Sequence, residues 1–190
     1  MKDRKVEIRN AAKKIFLENG MSKTTMVDIA KNTSIARSTI YEYYSSKEDI
    51  LYDLLKEIIS EKPKIDKNLH FEDQLIEIAK YFFERLRNNY EIYKLLFQEI
   101  PVLNKQSKTE FNIRQDNSLN IVSEVFSKEI DNNTLKRNLN VEDLTFYFKA
   151  LVGQKMSDFL FNNHDFNSEE EAKEVIEVLL NGIRRRDNGN

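Results

Sequence analysis

The sequence predicts an all-α protein, and three observations lead to this fold class. Only 4 Gly and 2 Pro occur among 190 residues, which leaves few positions for the tight turns of hairpins. Apolar residues recur through most of the chain at the spacing of one helix face. Ser, Thr, Asp and Asn precede several of these segments, as they do at helix N-termini. With 40% hydrophobic residues, the chain can bury one core and a small second one.

The first part of the chain predicts three helices, of which the second and third are short, and the start of a fourth. A capping box at Thr25–Asp28 begins the second helix, and a turn at 32–34 ends it. The third helix is predicted over 35–43, and the polar run 45–49 caps the fourth. The first helix, predicted over residues 3–20, ends at Gly20 and has one apolar face: Ile8, Ala11, Ala12, Ile15 and Phe16.

The remaining chain predicts a linker followed by a helical body. Residues 60–68 are polar, contain Pro63 and lack periodicity, which indicates the linker. We therefore predict a helix-turn-helix domain over 1–47, a connecting helix and linker over 48–68, and a ligand-binding and dimerisation domain over 69–190. The predicted helices of that last domain cover 69–87, 90–100, about 107–130, 140–161 and a segment from 168 onward.

Charge is divided unevenly along the chain. Residues 1–47 carry ten Lys or Arg and five Asp or Glu, whereas residues 48–190 carry 20 and 27. A basic head on an acidic body favours a polyanion as the partner of the head. The charged start does not match a signal peptide, and no apolar run approaches the ~18 residues of a membrane helix. Because Cys is also absent, we expect a cytoplasmic protein without a membrane partner.

Two short helices joined by a tight turn, the second with a polar and aromatic outer face, are typical of a helix-turn-helix. A single helix fits the major groove, where Arg reads guanine and small polar residues permit close approach to the bases. Short capped helices also occur in ordinary bundles, so the pattern by itself leaves both interpretations open.

The segment from Gly20 to Leu51 resembles the N-terminal domain of the tetracycline-repressor (TetR) family. The family pattern appears in register as a Gly, a Thr-Thr pair, Asp-Ile-Ala, Thr-Ile-Tyr, a Tyr-Tyr pair and Ser-Lys-Glu. Three positions depart from it: Ser34 replaces the usual turn Gly, Ala36 replaces a Ser, and Ser38 replaces a small Gly. These departures keep a second hypothesis open, a helical protein-interaction adaptor that has lost DNA binding.

The resemblance implies a transcriptional regulator, a repressor that binds a near-palindromic operator in double-stranded DNA. It implies that Thr25 touches phosphate at the start of the second helix and that Lys47 pairs with phosphate from the fourth. The recognition-helix residues that should face the groove and its walls are Arg37, Ser38, Thr39, Tyr41 and Tyr43.

The body is expected to form a homodimer and to bind a small apolar or aromatic effector that releases the DNA. The expected interface comes from the last two long helices: Phe148, Leu151, Val152, Phe159, Val175, Ile176, Leu179 and Ile183. The expected pocket uses crowded aromatic residues, for which ordinary core packing is the alternative: Phe82, Phe83, Tyr93, Phe97, Phe111 and Phe126.

Enzymatic functions find little support in the sequence. The two histidines, His70 and His164, lie far apart, and neither has a Glu three residues before it, as di-iron bundles require. The glycines are scattered, so no phosphate-binding loop is present. We therefore expect no catalytic residue, no metal and no cofactor.

Overall fold

The computed structural model describes residues 4–99, 120–131, 135, 140–162 and 166–183. All secondary-structure elements of these residues are α-helices, which confirms the predicted fold class. The predicted helix over 107–130 falls within the described residues only from Asn120 onward. The helices are α1 (Arg4–Asn19), α2 (Met26–Lys31), α3 (Arg37–Tyr43), α4 (Lys47–Ser60), α5 (Phe71–Asn88), α6 (Tyr90–Glu99), α7 (Asn120–Asp131), α8 (Val141–Asn162) and α9 (Ser168–Ile183).

The chain separates into two compact units, and their boundaries differ from the predicted domains. The first unit comprises Met1–Glu61 and Asn89–Gln115, and the second comprises Lys62–Asn88 and Asp116–Asn190. Helix α4, expected in a connecting segment, belongs to the first unit because it packs along α1. Helix α6, expected in the ligand-binding domain, also packs against α1.

The core of the first unit forms where α1, α2, α3 and α4 meet. Gly20 ends α1 with a φ of +77°, and its N–H donates to the Phe16 carbonyl at 3.0 Å. Ser46 caps α4 by accepting from the Asp49 N–H at 3.1 Å. The side chains buried here are those of the predicted α1 face together with Ile29, Ile40, Ile50, Leu51 and Leu55.

The second unit packs α5, α7, α8 and α9 around its own apolar core. An aromatic cluster forms part of this core, with the Phe83 and Phe166 rings edge-to-face at 4.9 Å between centroids. Lys155 of α8 joins α9 through Glu171 at 2.7 Å and Glu174 at 2.8 Å. Among the helices that the structure describes, none is both long and apolar enough to cross a bilayer.

Candidate nucleic-acid interface

Helix α3 presents a polar and aromatic face to solvent. Of its seven residues, Ile40 is the one that is buried, at 1% exposure, and it fixes which side of the helix faces the core. Arg37 and Ser38, in the first turn, are exposed, and Thr39 is half-buried. Tyr41 and Tyr43 remain 43% and 39% exposed. The residues expected to face DNA thus lie on α3, with four of the five exposed to solvent.

Arg37 and Tyr41 are ordered against each other on this face. The Arg37 guanidinium carbon lies 5.4 Å from the centre of the Tyr41 ring, and Nη2 donates to the Tyr41 hydroxyl at 3.4 Å. This is an i,i+4 pair, one turn apart on the same side of the helix. The contact limits the rotamers of Arg37, so less side-chain entropy remains to be lost when it binds a base or a phosphate.

Thr25 forms the predicted capping box at the start of α2. Its hydroxyl donates to Asp28 Oδ2 at 2.6 Å, its backbone N–H donates to the same oxygen at 3.0 Å, and the Asp28 N–H donates back to Oγ1 at 3.3 Å. The hydrogen bonds from the Thr25 hydroxyl and N–H lower the pKa of Asp28. Both donors of Thr25 are therefore engaged within the box, and a phosphate contact would have to displace one of them.

Lys47 occupies a different place from the one the resemblance implies. Its ammonium donates to the Met21 carbonyl at 2.6 Å and to the Thr24 carbonyl at 2.9 Å. Two of its three donors thus hold the loop between α1 and α2 against the start of α4. In this structure Lys47 stabilises the head, and one donor remains for phosphate.

Replacing Lys47 with Met should lower the stability of the head by about 1–2 kcal/mol, because two buried carbonyls lose a charged donor while the apolar stem is kept. Urea unfolding followed by circular dichroism measures this. The exposed Lys31 provides the control, since Lys31→Met should change stability by less than about 0.5 kcal/mol. Equal effects of the two variants would contradict a structural role for Lys47.

Ser34 is joined to α1 by hydrogen bonds that sequence reasoning missed. Its backbone N–H and its hydroxyl both donate to Glu7 Oε1, each at 2.7 Å. A glycine here could form only the first of these bonds, so the serine adds one contact between α1 and the α2–α3 turn. The departure at this position is thus accommodated by the head. Because 27 residues separate the partners, no local pattern signals the pair.

A polar cluster, Arg9, Tyr44, Asp53 and Glu57, ties α1, the end of α3 and α4 together. Tyr44, the C-terminal cap of α3, donates its hydroxyl to Asp53 Oδ2 at 2.6 Å, and Arg9 Nη1 donates to the same oxygen at 3.0 Å. Glu57 accepts from Arg9 Nε at 3.3 Å.

Burial and hydrogen bonding act oppositely on the pKa of Asp53. Burial raises it, but hydrogen bonds from Tyr44 and Arg9 and the charge of Arg9 outweigh burial, so the pKa lies below its ordinary 3.8. Burial also raises the pKa of Tyr44, and the hydrogen bond to Asp53 raises it further. The phenol therefore remains a donor to a charged carboxylate across the physiological range.

Seven of the eight residues expected at a dimer interface pack in the core of the second unit. Phe148, Val152, Val175, Ile176 and Leu179 are at most 5% exposed within their own chain. Leu151 and Phe159 are half-buried and pack against the same core. For Ile183 the structure describes the backbone position at the end of α9. Side chains already enclosed in the core offer no area to a partner, which corrects the expected contact residues.

The six aromatic residues expected to line a pocket are not all in one unit. Phe82, Phe83 and Phe126 belong to the core of the second unit, and Phe83 and Phe126 are fully buried there. Tyr93, which is buried, and Phe97, which is half-buried, belong to the first unit. Phe111 lies outside the described residues.

A cleft of about 710 Å³ opens elsewhere in the second unit. Much of its lining is charged or polar, with Lys67, His70 and Gln74 on one side and Lys128 and Asp131 of α7 on the other. It therefore does not have the character expected of an apolar effector pocket.

Comparisons with known proteins find relatives of the N-terminal helices and of the whole chain. A family model described as "Bacterial regulatory proteins, tetR family" matches residues 8–54, which include α2, α3 and most of α1 and α4. A fatty acid metabolism regulator protein of Bacillus subtilis is 23% identical over 186 residues, covering 95% of this chain and 96% of the relative. The transcriptional repressor BepR of Brucella suis is 20% identical over 185 residues, covering 92% and 88%.

A solved structure has the same fold along almost the whole chain. The transcriptional regulator FadR from Bacillus subtilis, in complex with stearoyl-CoA, superposes with a TM-score of 0.74 at 24% identity. The match covers 94% of this chain and 99% of FadR. Its fold therefore extends the similarity from the head to the helices of the body. Together with the exposed face of α3, these comparisons show that the N-terminal part of the chain matches the tetR family of bacterial regulatory proteins and that the relatives similar along the whole chain are transcriptional regulators.

Proposed function

We propose that this protein represses transcription by binding a near-palindromic operator as a homodimer, and that an apolar acyl compound releases it. The observation that carries the proposal is the solvent-exposed face of α3 on a basic head. A repressor bound at a promoter excludes the transcription machinery, and release restores access. The hypothesis of an adaptor without DNA binding rested on departures such as Ser34, which the head accommodates through Glu7.

The N-terminal turn of α3 suits direct reading of bases. Arg37 is the first residue of this helix, and Ser38 beside it is small, so the backbone can come close to the floor of the major groove. The hydroxyls of Tyr41 and Tyr43 have the length to reach phosphates on the groove walls. Most of the affinity then comes from phosphate contacts, and the specificity comes from the few residues of this turn.

Replacing Arg37 with Ala should cost about 1–3 kcal/mol of binding free energy at a single base pair, if its fork contacts guanine. The matched control is Arg37→Lys, which keeps the positive charge but loses the bidentate geometry. Titration of operator variants with each base substituted in turn measures both. If Arg37→Ala weakened binding equally for all operator variants, Arg37 would contact phosphate and not a base.

The outer face of α8 provides the dimer interface that we propose. Phe146 is 63% exposed and Phe161 is 54% exposed, and the spacing of four, three and eight residues places them with Ala150 and Gly153 along one side of the helix. This face is about 22 Å long at the rise of an α-helix. Val178 of α9 is a further exposed apolar residue, at 57%.

Gly153 lies on this face, and no contact with the described part of its own chain explains why the residue is a glycine. A Cβ placed there would meet no other part of the described chain within 4 Å, so none of the described neighbours requires a glycine. Glycine costs up to about 1 kcal/mol relative to alanine inside a helix. A second α8 that packs closely across the small residues Ala150 and Gly153 would account for it. Two-fold pairing then sets two heads at the spacing of two half-sites.

Two observations support an acyl compound as the effector: the apolar interior of the second unit and the names of the relatives. The relatives include a fatty acid metabolism regulator and a structure with stearoyl-CoA bound. A long acyl chain gains binding energy in proportion to the apolar area that it buries. Because Phe83 and Phe126 are fully enclosed, such a chain can enter only when α5 and α7 separate. Ligand would thus favour an open conformation with lower DNA affinity.

Selection from a random DNA library with the purified protein tests the DNA-binding half of this proposal. We expect enrichment of an inverted repeat whose affinity falls steeply with salt. Titration of stearoyl-CoA into the resulting complex should then release the DNA, with free coenzyme A as the control. Enrichment of no sequence would reject operator recognition, whereas retention of DNA at saturating stearoyl-CoA would reject the acyl effector alone.

A further inference from the structure

Tyr81 of α5 carries a buried hydroxyl that finds no hydrogen-bond partner among the described residues of the second unit. Its ring is half-buried and packs against the apolar core, edge-to-face on Phe82 at 5.8 Å. The hydroxyl oxygen is enclosed, yet it forms no hydrogen bond with the part of the chain that the structure describes. Leaving a buried hydroxyl unpaired typically costs 1–3 kcal/mol, so folded proteins rarely retain one without a use for it.

Arg85 lies one helical turn after Tyr81 on the same side of α5. Its guanidinium carbon is 5.5 Å from the centre of the Tyr81 ring and 4.9 Å from that of Phe82. The Nε and Nη1 atoms of the guanidinium are themselves buried. A fixed positive charge beside the hydroxyl favours an oxygen acceptor with negative charge over a neutral group.

We propose that Tyr81 and Arg85 bind the negatively charged group of the effector. The effector is therefore an amphipathic anion with a long apolar chain. This inference rests on the proposed function and specifies its ligand. The apolar chain is buried among core side chains such as Phe82, and the charged oxygens accept from the Tyr81 hydroxyl and the guanidinium. The shared chemistry fits a free fatty acid carboxylate as well as the acidic groups of an acyl-CoA, and the binding assay distinguishes these two sources.

The ligand-free protein provides the first test. Tyr81→Phe removes the unsatisfied hydroxyl and keeps the ring, so the melting temperature should rise by about 2–4 °C. Tyr147→Phe is the matched control, because Tyr147 is 46% exposed on α8 of the same unit and should leave the melting temperature unchanged. A melting temperature of Tyr81→Phe that is equal to or lower than wild type would show that the hydroxyl already has a partner and would overturn the proposal.

Binding of stearate, stearoyl-CoA and octadecanol provides the second test. The wild type should bind at least one of the two anions about tenfold more tightly than octadecanol, and the tighter anion identifies the source. Tyr81→Phe and Arg85→Gln should each remove most of this preference and leave octadecanol affinity unchanged. Arg87→Gln is the control, since Arg87 is an exposed residue of the same helix.

The two proposals fail in different ways. If octadecanol and stearate release operator DNA equally and the Tyr81→Phe and Arg85→Gln variants bind both like wild type, the proposed site for the charged group is wrong. The proposal of an apolar effector is then retained. If the three compounds leave the DNA bound, the acyl effector itself is wrong, and with it the assignment of its head group.

Discussion

Replacing Gly153 with Arg is expected to convert the protein to a monomer and to lower its operator affinity about 100-fold or more. The new side chain would project from the outer face of α8, next to Ala150, into the space that a second α8 fills in the proposed dimer. The fold of the chain should survive because, within the part of the chain that the structure describes, no packed neighbour lies within 4 Å of a Cβ at this position. Affinity falls because the second head no longer binds at the high effective concentration that dimerisation provides.

Sedimentation velocity and DNA titration measure the two effects of Gly153→Arg separately. The matched comparison is Gly153→Ala, whose single methyl group should weaken the dimer far less than the Arg side chain does, while it raises the intrinsic stability of the helix by about 0.5–1 kcal/mol. A dimer of Gly153→Arg with wild-type affinity would place the interface elsewhere. Introducing a negative charge with Phe146→Glu should repeat the loss, because Phe146 is 63% exposed on the same face.

Replacing Asp53 with Ala should lower the stability of the head by about 2–3 kcal/mol. Asp53 Oδ2 accepts from both the Tyr44 hydroxyl and Arg9, and the Arg9 and Asp53 side chains are only 16% and 19% exposed. Its loss leaves a phenol and a guanidinium without their acceptor in a poorly solvated place. Because Tyr44 caps α3, the recognition helix should also become less ordered, and operator affinity should fall with stability.

Glu57→Ala is the control for Asp53→Ala. Glu57 also pairs with Arg9, at 3.3 Å, but 67% of its side chain is exposed, so its loss should cost less than about 0.5 kcal/mol. Denaturant unfolding of both variants gives the comparison. Equal costs would show that exposure does not decide the strength of these pairs and would contradict the predicted role of Asp53.

The dependence of this effect on pH follows from the lowered pKa of Asp53. A carboxyl whose folded pKa lies below its unfolded value of 3.8 contributes its full stabilisation above that value and loses it as pH falls through the folded pKa. The difference in unfolding free energy between wild type and Asp53→Ala should therefore be constant near neutral pH and should narrow below about pH 4. A difference that stays constant down to pH 2 would contradict this account.

The elements of the head were predictable from the sequence because their determinants are local. Thr25 and Asp28 define the start of α2 within one turn, Gly20 ends α1, and Ser46 caps α4. The apolar face of α1 could also be predicted, because the residues on the other side of this helix are charged. The burial of Ile40 marks the core side of α3, so Ser38 and Glu42, each two residues away and on the opposite side of the helix, face solvent.

The faces of the body helices were not predictable in the same way. Helix α8 has apolar residues on nearly every side, so periodicity does not distinguish Phe148, which is fully buried, from Phe146, which is 63% exposed two residues earlier. The residues that the sequence predicted at the interface therefore lie on the core face of the helix and not on its outer face. The difference depends on where α9 and α5 pack, and a sequence pattern carries no information about which neighbour covers which side.

The sequence by itself determined that this chain is helical, where its first helices begin and end, and that its recognition helix presents Arg37, Tyr41 and Tyr43 outward. These properties depend on hydrogen bonds and side-chain spacing within a few residues. Only the tertiary structure decided that Lys47 binds the carbonyls of a distant loop and that Asp53 joins Tyr44 to Arg9. The physical reason is that a polar side chain takes the partner that folding brings within hydrogen-bonding distance, and for Arg9 and Asp53 that partner lies 44 residues away.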